Sequence, residues 1–305
     1  MSHIIPTPVT AWLDYLKQKG KSQSTIDNYR RALSHFSHWS EQSYGQPFDP
    51  AAIIPRDVAD WRAFQQGVEK AKPATVNVRL VALSRFFKWA ITHGYAHHDP
   101  TPDVGGVRPE VRRPKSLEDK YVRRLLRQVR AAGNRRDEAI MEMLLGTGLR
   151  ISELLALRRE DLTLGERSGE VRVRYGKGGV YRAVPLTVSV RKALKSYLEI
   201  EPALKPKDLL WVGARGPLKD RGTVLYLLKK YAFQAGLDEA LISPHILRHT
   251  FATRYLAANP DDLRGLAAIL GHSNLNMVMI YTTPTTHELS MRMERAELTS
   301  TLMDP

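Results

Sequence analysis

At 305 residues, 43% hydrophobic and 26% charged, the chain exceeds what one core usually holds and suits two domains, and no apolar run nears the roughly 18 residues that span a bilayer. It has no cysteine, which excludes disulfides, thiolate nucleophiles and cysteine-ligated zinc, and the start MSHIIPTPVTAWLDYLK lacks the pattern of a secretory signal, so a cytoplasmic location is expected. A net charge of +14 with a pI near 9.9 points to a polyanionic partner held largely by counterion release, nucleic acid first.

The basic excess is spread along the chain. Residues 1–100 hold 12 basic and 8 acidic side chains, and the remainder holds 34 and 24. Charge alone leaves a solubilising surface as the bland alternative, so motifs must decide. Residues 8–98 read as helices, because Ile26, Tyr29, Leu33 and Phe36 follow a three-and-four spacing and Val76, Leu80, Leu83, Phe86 and Phe87 repeat it. Pro55 and Pro73 mark helix starts, and Gly94 follows the last apolar turn. A domain of four or five helices over 1–98 is expected. DPTPDVGGVRPEVRRPK, residues 99–115, is rich in Pro and Gly, has no periodicity and reads as an interdomain linker.

The second domain, 116–305, reads as mainly helical with a small β-hairpin. In EVRVRYGKGGVYRAVPL, Val171, Val173 and Tyr175 alternate with Arg172 and Arg174, and the glycines at 176, 178 and 179 turn the chain into a second short strand. Lys177 falls at the hairpin tip. Helices are predicted at 187–200, 221–235, 244–258, 262–270 and 274–281, with a last amphipathic segment from His287 to Leu298.

Three further segments carry candidate chemistry. In GTGLRISELLALRREDL, Gly146 and Gly148 break one helix and Arg150 stands at the start of the next, able to offer bidentate donors to a phosphate, with Glu153 as a brace. In SPHILRHTFATRYLAA, Ser243 and Pro244 open a helix on which His245 and Arg248 share a face near the positive end of the dipole. In LAAILGHSNLNMVMIYTT, His272 lies in a tight connection and Tyr281 near the end of a helix. Taken singly, Arg150 also reads as a solvated arginine, and Tyr281, among Met277, Val278 and Ile280, as a core aromatic.

The ordered set of Gly-Thr-Gly-Leu-Arg-Ile-Ser-Glu-Leu, Gly-Lys-Gly-Gly, His-x-x-Arg-His-x-Phe-Ala, Leu-Gly-His-Ser and a later tyrosine resembles the tyrosine recombinase (phage integrase) family, including its Xer-like members. SQSTIDNYRRALSHFSHW and KPATVNVRLVALSRFFKWA resemble the two helical signatures of that family's core-binding domain. The resemblance implies a two-domain, C-shaped DNA clamp with a SAM-like N-terminal domain and a tyrosine recombinase catalytic fold. It implies Arg150, Lys177, His245, Arg248, His272 and Tyr281 as catalytic residues, Tyr281 being the nucleophile that forms a 3′-phosphotyrosyl bond and leaves a free 5′-hydroxyl.

The chemistry agrees with that assignment. A phenol with a pKa of about 10 is a poor nucleophile near neutrality unless cations and donors assist it. Attack on a phosphodiester loads charge onto oxygens that Arg150, Arg248 and His272 can hold, with Lys177 as general acid and His245 for proton transfer or orientation, two roles interchangeable at this stage. Neither ATP nor a metal cofactor is expected: the sequence has no phosphate-binding Gly-Lys-Ser/Thr loop and no His-Glu-x-x-His, and His97, His98 and Asp99 read as polar loop residues. Arg30, Arg31, Lys72 and Arg79 are candidate DNA contacts of the first domain, competing with a simple solvated role.

The implied partner is double-stranded DNA with a specific recombination site, bound by a homotetramer on two sites, with or without a related recombinase or accessory protein. Leu289, Met291, Met293, Leu298 and Leu302 supply apolar surface for subunit contact or for folding back. The implied task is dimer or cointegrate resolution, or integration and excision of a mobile element. Competing readings are a type IB topoisomerase-like enzyme, a non-cutting DNA-binding regulator, and an RNA-binding module or metal nuclease.

Overall fold

A computed structural model of the chain describes residues 6–108, 116–175, 180–271, 290, 293 and 294. The chain separates into two compact units, Met1–Val111 and Arg112–Pro305.

The first unit is built on four helices, α1 (Thr7–Gln18), α2 (Gln23–Tyr44), α3 (Pro55–Gly67) and α4 (Pro73–Thr92). Their starts follow from local chemistry. Ser22 Oγ accepts the Thr25 N–H at 3.3 Å ahead of α2, and Pro55 and Pro73 occupy first-turn positions whose N–H has no intrahelical acceptor. The predicted stripes meet: Ile26, Leu33 and Phe36 of α2 pack with Val76, Leu80, Leu83, Phe86 and Phe87 of α4, while Tyr29 stacks on Trp12 at 5.2 Å. Trp61 of α3 is buried edge-on against Phe36, with centroids 4.9 Å apart. Burying each such ring contributes roughly 1.5–3 kcal/mol.

Residues 99–107, read from sequence as linker, are fastened to this unit. Asn77 pairs with the Val107 backbone on both sides of its amide, at 2.7 and 2.8 Å, and Arg62 Nη1 donates to the Gly105 carbonyl at 2.6 Å. Single side chains gripping a backbone leave no periodic trace, so composition alone suggested free chain. Asp99 Oδ1 accepts the N–H and hydroxyl of Thr101.

The second unit surrounds one helix. The unit opens with α5 (Asp119–Ala131) and α6 (Arg135–Thr147), and every residue from Ala139 to Leu145 is buried, the mark of a helix covered on all sides. A short α7 (Ile151–Ala156) leads to the strands β1 (Leu162–Leu164), β2 (Gly169–Tyr175) and β3 (Val180–Pro185), an antiparallel sheet in the order β1-β2-β3. Val171 faces Val184 and Val173 faces Arg182 across β2 and β3. Val171, Val173 and Val184 are buried while Arg172 and Arg174 point outward, as the alternation predicts.

The chain continues through α8 (Val188–Ile200), a two-stranded ribbon of β4 (Val212–Gly213) and β5 (Gly216–Pro217), α9 (Arg221–Gln234), α10 (Pro244–Ala258) and α11 (Leu263–Leu270). α8 and α10 flank α6 together with α5. These helices agree with the predicted ranges to within a residue. β1 and the β4–β5 ribbon were not predicted, because two or three residues are too short to show alternation. The hairpin tip at 176–179 and the helices predicted at 274–281 and 287–298 lie outside the described residues, apart from positions 290, 293 and 294. Among the described residues, no helix is long and apolar enough to cross a membrane.

Candidate active site

The site begins where α6 ends. Gly148 closes that helix at φ +63°, and a Cβ there would lie 2.5 Å from the Phe251 ring and 2.8 Å from Leu270 Cδ2, so both conformation and space require glycine. The turn delivers Arg150 to the N-cap of α7, where its N–H donates to Glu153 Oε2 at 2.8 Å and its Nη1 to Glu153 Oε1 at 3.1 Å. The brace expected from Glu153 is thus formed twice.

α10 brings the second arginine. Ser243 Oγ accepts the Ile246 N–H at 3.3 Å and Pro244 follows at the first helical position, the predicted start. His245 is exposed in the first turn, and Arg248, one turn on, is only 5% exposed. Its Nη1 donates to the Gly148 carbonyl at 2.7 Å and its Nη2 to the Leu270 carbonyl at 2.8 Å. Arg150 Nη1 reaches that same Leu270 carbonyl at 3.4 Å. Two guanidinium groups from segments about 100 residues apart therefore converge on one carbonyl, and Arg150 keeps a third of its side chain exposed.

A third arginine completes the arrangement, and sequence reasoning passed it over. Arg182 of β3 donates from Nη1 and Nη2 to Glu153 Oε1 and Oε2, both at 2.9 Å, and from Nε to the Ile269 carbonyl at 2.7 Å. The signal was present: Arg182 shares the inward face of β3 with Val184, and an arginine at a buried strand position needs a charged partner. Burial pushes the Glu153 carboxyl pKa up, but the Arg182 hydrogen bonds, the Arg150 amide and the two guanidinium charges outweigh it and hold the group below the usual range. Neighbouring His249 is shifted down by burial and then by the charges of His245 and Arg248.

Three guanidinium charges thus surround one carboxylate, leaving cationic surplus at a partly open surface. Such a place suits an anion such as a phosphodiester. Lys177, His272 and Tyr281 lie outside the described residues, although β2 and β3 bracket Lys177, and Gly271, which ends α11 at φ +66°, directly precedes His272. Among the described residues no group of three or more His, Cys, Asp or Glu side chains gathers as metal ligands would.

The candidate DNA contacts of the first unit differ among themselves. Arg31 and Lys72 are exposed, and Arg30 pairs with Asp27 at 3.0 Å on the surface. Arg79 is turned into an internal network, its Nη1 donating to Glu69 Oε2 at 2.9 Å and to Gln65 Oε1 at 3.1 Å. Of the C-terminal apolar residues, Met293 is 72% exposed, while Leu289, Met291, Leu298 and Leu302 lie outside the described residues.

A helical unit followed by a mainly helical unit in which an arginine pair is braced beside a β-hairpin defines a class of enzyme, and comparison with known proteins identifies it. Residues 115–288 match the phage integrase family and residues 9–94 its N-terminal SAM-like domain. The chain is 35% identical over 277 residues to the tyrosine recombinase XerD of Ralstonia nicotianae, covering 89% of this chain and 86% of that protein. It is 31% identical to the tyrosine recombinase XerC of Neisseria meningitidis, covering 89% of each. Its fold is similar to that of the XerH site-specific recombinase in a post-cleavage complex with a palindromic difH substrate, with a TM-score of 0.72 at 24% identity over 89% of this chain and 78% of that one.

The chain belongs to the phage integrase family, as a Xer-like tyrosine recombinase. It is a site-specific DNA recombinase.

Proposed function

We propose that Tyr281 is the nucleophile of this recombinase and that Arg150 and Arg248 bind the non-bridging oxygens of the phosphate it attacks. The observation that supports the reading most is the meeting of those two guanidinium groups at the Leu270 carbonyl, two residues before His272. In the first step the Tyr281 oxygen bonds to phosphorus as its proton passes to His245 or to water, and the bond from phosphorus to the 5′-oxygen breaks. That oxygen takes a proton from Lys177, with His245 aiding proton transfer or orientation and His272 adding a hydrogen bond to the phosphate. A phosphodiester becomes a 3′-phosphotyrosyl ester of similar energy, so the attack of another 5′-hydroxyl rejoins the strand with neither ATP nor a metal in the scheme.

In this reading residues 1–98 form the core-binding domain with 99–107 fastened to it, the remainder of 99–115 connects, and 116–305 carry catalysis, with the two basic domains closing on one duplex. Arg30, Arg31 and Lys72 contact its backbone. A homotetramer acts on two specific sites in the cytoplasm, its C-terminal segment joining subunits, in dimer or cointegrate resolution or in moving a mobile element. The test is a duplex carrying a site selected from random DNA and nicked beside the cleavage position, so that loss of a short fragment traps the covalent adduct. The parent protein is expected to form the adduct in EDTA and Tyr281→Phe to form none. An adduct with the phenylalanine variant overturns the assignment of Tyr281, and its loss in EDTA overturns the metal-free scheme.

A further inference from the structure

We infer that Arg182 is a positioning residue for strand cleavage: it takes up the charge and fixes the plane of the Glu153 carboxylate, so that Arg150 and Arg248 keep their cationic surplus for the phosphate. The inference rests on the reading that those two arginines bind the scissile phosphate. Arg182 is only 8% exposed. Its guanidinium holds both Glu153 oxygens at 2.9 Å, a two-point grip that leaves the carboxylate plane no freedom to turn. Its Nε holds the Ile269 carbonyl at 2.7 Å, next to the Leu270 carbonyl on which Arg150 and Arg248 meet.

The effect of its loss follows from the distances. Glu153 already touches Arg150 at 3.1 Å and stands 4.0 Å from Arg248 Nη1. Without Arg182, the nearest cations among the described residues able to neutralise this half-buried carboxylate are Arg150 and Arg248, the two meant for DNA. The site would pass from three cations around one anion to two, with the carboxylate drawn onto them. Arg182 also lies on the strand that leaves the hairpin tip, three residues after Gly179, so the same grip ties the strand after Lys177 to α7 and to the end of α11.

The test uses the full chain and the nicked duplex, with either an ordinary phosphate or an uncharged methylphosphonate at the cleavage position, and reads the single-turnover rate of adduct formation. Arg182→Met is expected to slow cleavage of the phosphate about 10- to 100-fold, the scale of a small misplacement of catalytic groups, with DNA affinity and circular dichroism unchanged. Its deficit shrinks on the methylphosphonate, which carries no charge for the cations to hold. Adding Glu153→Gln to Arg182→Met restores part of the phosphate rate, because neutralising the carboxylate returns the surplus. Arg182→Lys, which keeps the charge but cannot grip two oxygens, falls between, and it repeats the comparison if the methionine variant fails to fold.

A wild-type rate for Arg182→Met, or a deficit equal on both substrates and unrelieved by Glu153→Gln, overturns the inference and leaves Arg182 a purely structural residue. Failure of the underlying reading looks different. In that case Arg150→Ala, run alongside, cleaves the phosphate at the parent rate whatever Arg182 does.

Discussion

Each unit holds a network of arginine and carboxylate, and the two differ in charge balance. In the first unit Glu69 meets one guanidinium, Arg79, and one imidazole, His35, whose Nε2 lies 2.7 Å from Glu69 Oε1. Trp61 Nε1 and Arg79 Nη1, which can only donate, each reach a nitrogen of the His35 ring at 3.0 Å, an arrangement that favours the neutral imidazole. One cation answers one anion, and Gln65 takes a further Arg79 hydrogen bond. In the second unit one carboxylate, Glu153, faces Arg150, Arg182 and Arg248. A balanced network fastens helices together. A network with surplus cations is unfinished until an anion arrives, and its cost in burial is sensible only where binding supplies that anion.

The comparison breaks most visibly if the two networks respond alike to losing an arginine. Arg248→Ala is expected to lower single-turnover cleavage at saturating DNA by about 100- to 1000-fold, the effect of removing one preorganised donor to developing charge. Gly148→Ala attacks the same network through the backbone: a left-handed alanine plus overlap with Phe251 and Leu270 costs about 2–4 kcal/mol, read as a lower melting temperature for the second unit. Arg79→Met takes one donor from Glu69, which keeps His35, and the donor of the buried Gln65 carbonyl, and costs the first unit about 1–3 kcal/mol, while the cleavage rate of the bound complex stays within a few-fold. A larger loss of cleavage from Arg79→Met than from Arg248→Ala would reverse the assignment of the two networks.

The same contrast explains what sequence could show. Helices α2, α4 and α10 were legible because apolar spacing and start signals such as Pro73 and Ser243 act within a few residues. Arg150 and Arg248 were legible through their motifs, but their meeting at Leu270 was not, since it depends on how α6, α10 and α11 pack. Arg182 and Arg79 contrast in what the sequence hides. Arg182 sits inward beside Val184 but its partner carboxylate, Glu153, stands on another element 29 residues away, whereas Arg79 lies in a basic helix that invites a DNA role until the fold brings Glu69, ten residues earlier, against it. A basic residue announces its charge in the sequence, and its partner only in three dimensions.

The finest division between the two networks is by pH. Burial, first, and then the charges of Arg79 and His38 lower the His35 pKa from 6.5, against the opposing pull of Glu69. The folded first unit thus prefers neutral His35, and the unfolded chain binds the proton first as pH falls. The contribution of His35 to stability is therefore complete above pH 6.5 and is lost below it, down to the pKa of the folded state. Glu69 and Glu153 are both held below 4.5, so their contributions persist until the pH falls below that value. Below 6.5 the unfolded chain binds the His35 proton ahead of the folded one, before either carboxylate's contribution begins to fall, and His249, also lowered, gives the second unit a slope of the same sign. His35→Gln separates the two: hydrogen-exchange protection of α2 and α3, corrected for intrinsic rates, is expected to fall from pH 6.5 to 4.5 in the parent and to stay flatter in the variant, with α6 unaffected by the substitution. Equal slopes in parent and variant would mean that protonated His35 is tolerated where it lies, and the first network would lose its claim to be closed.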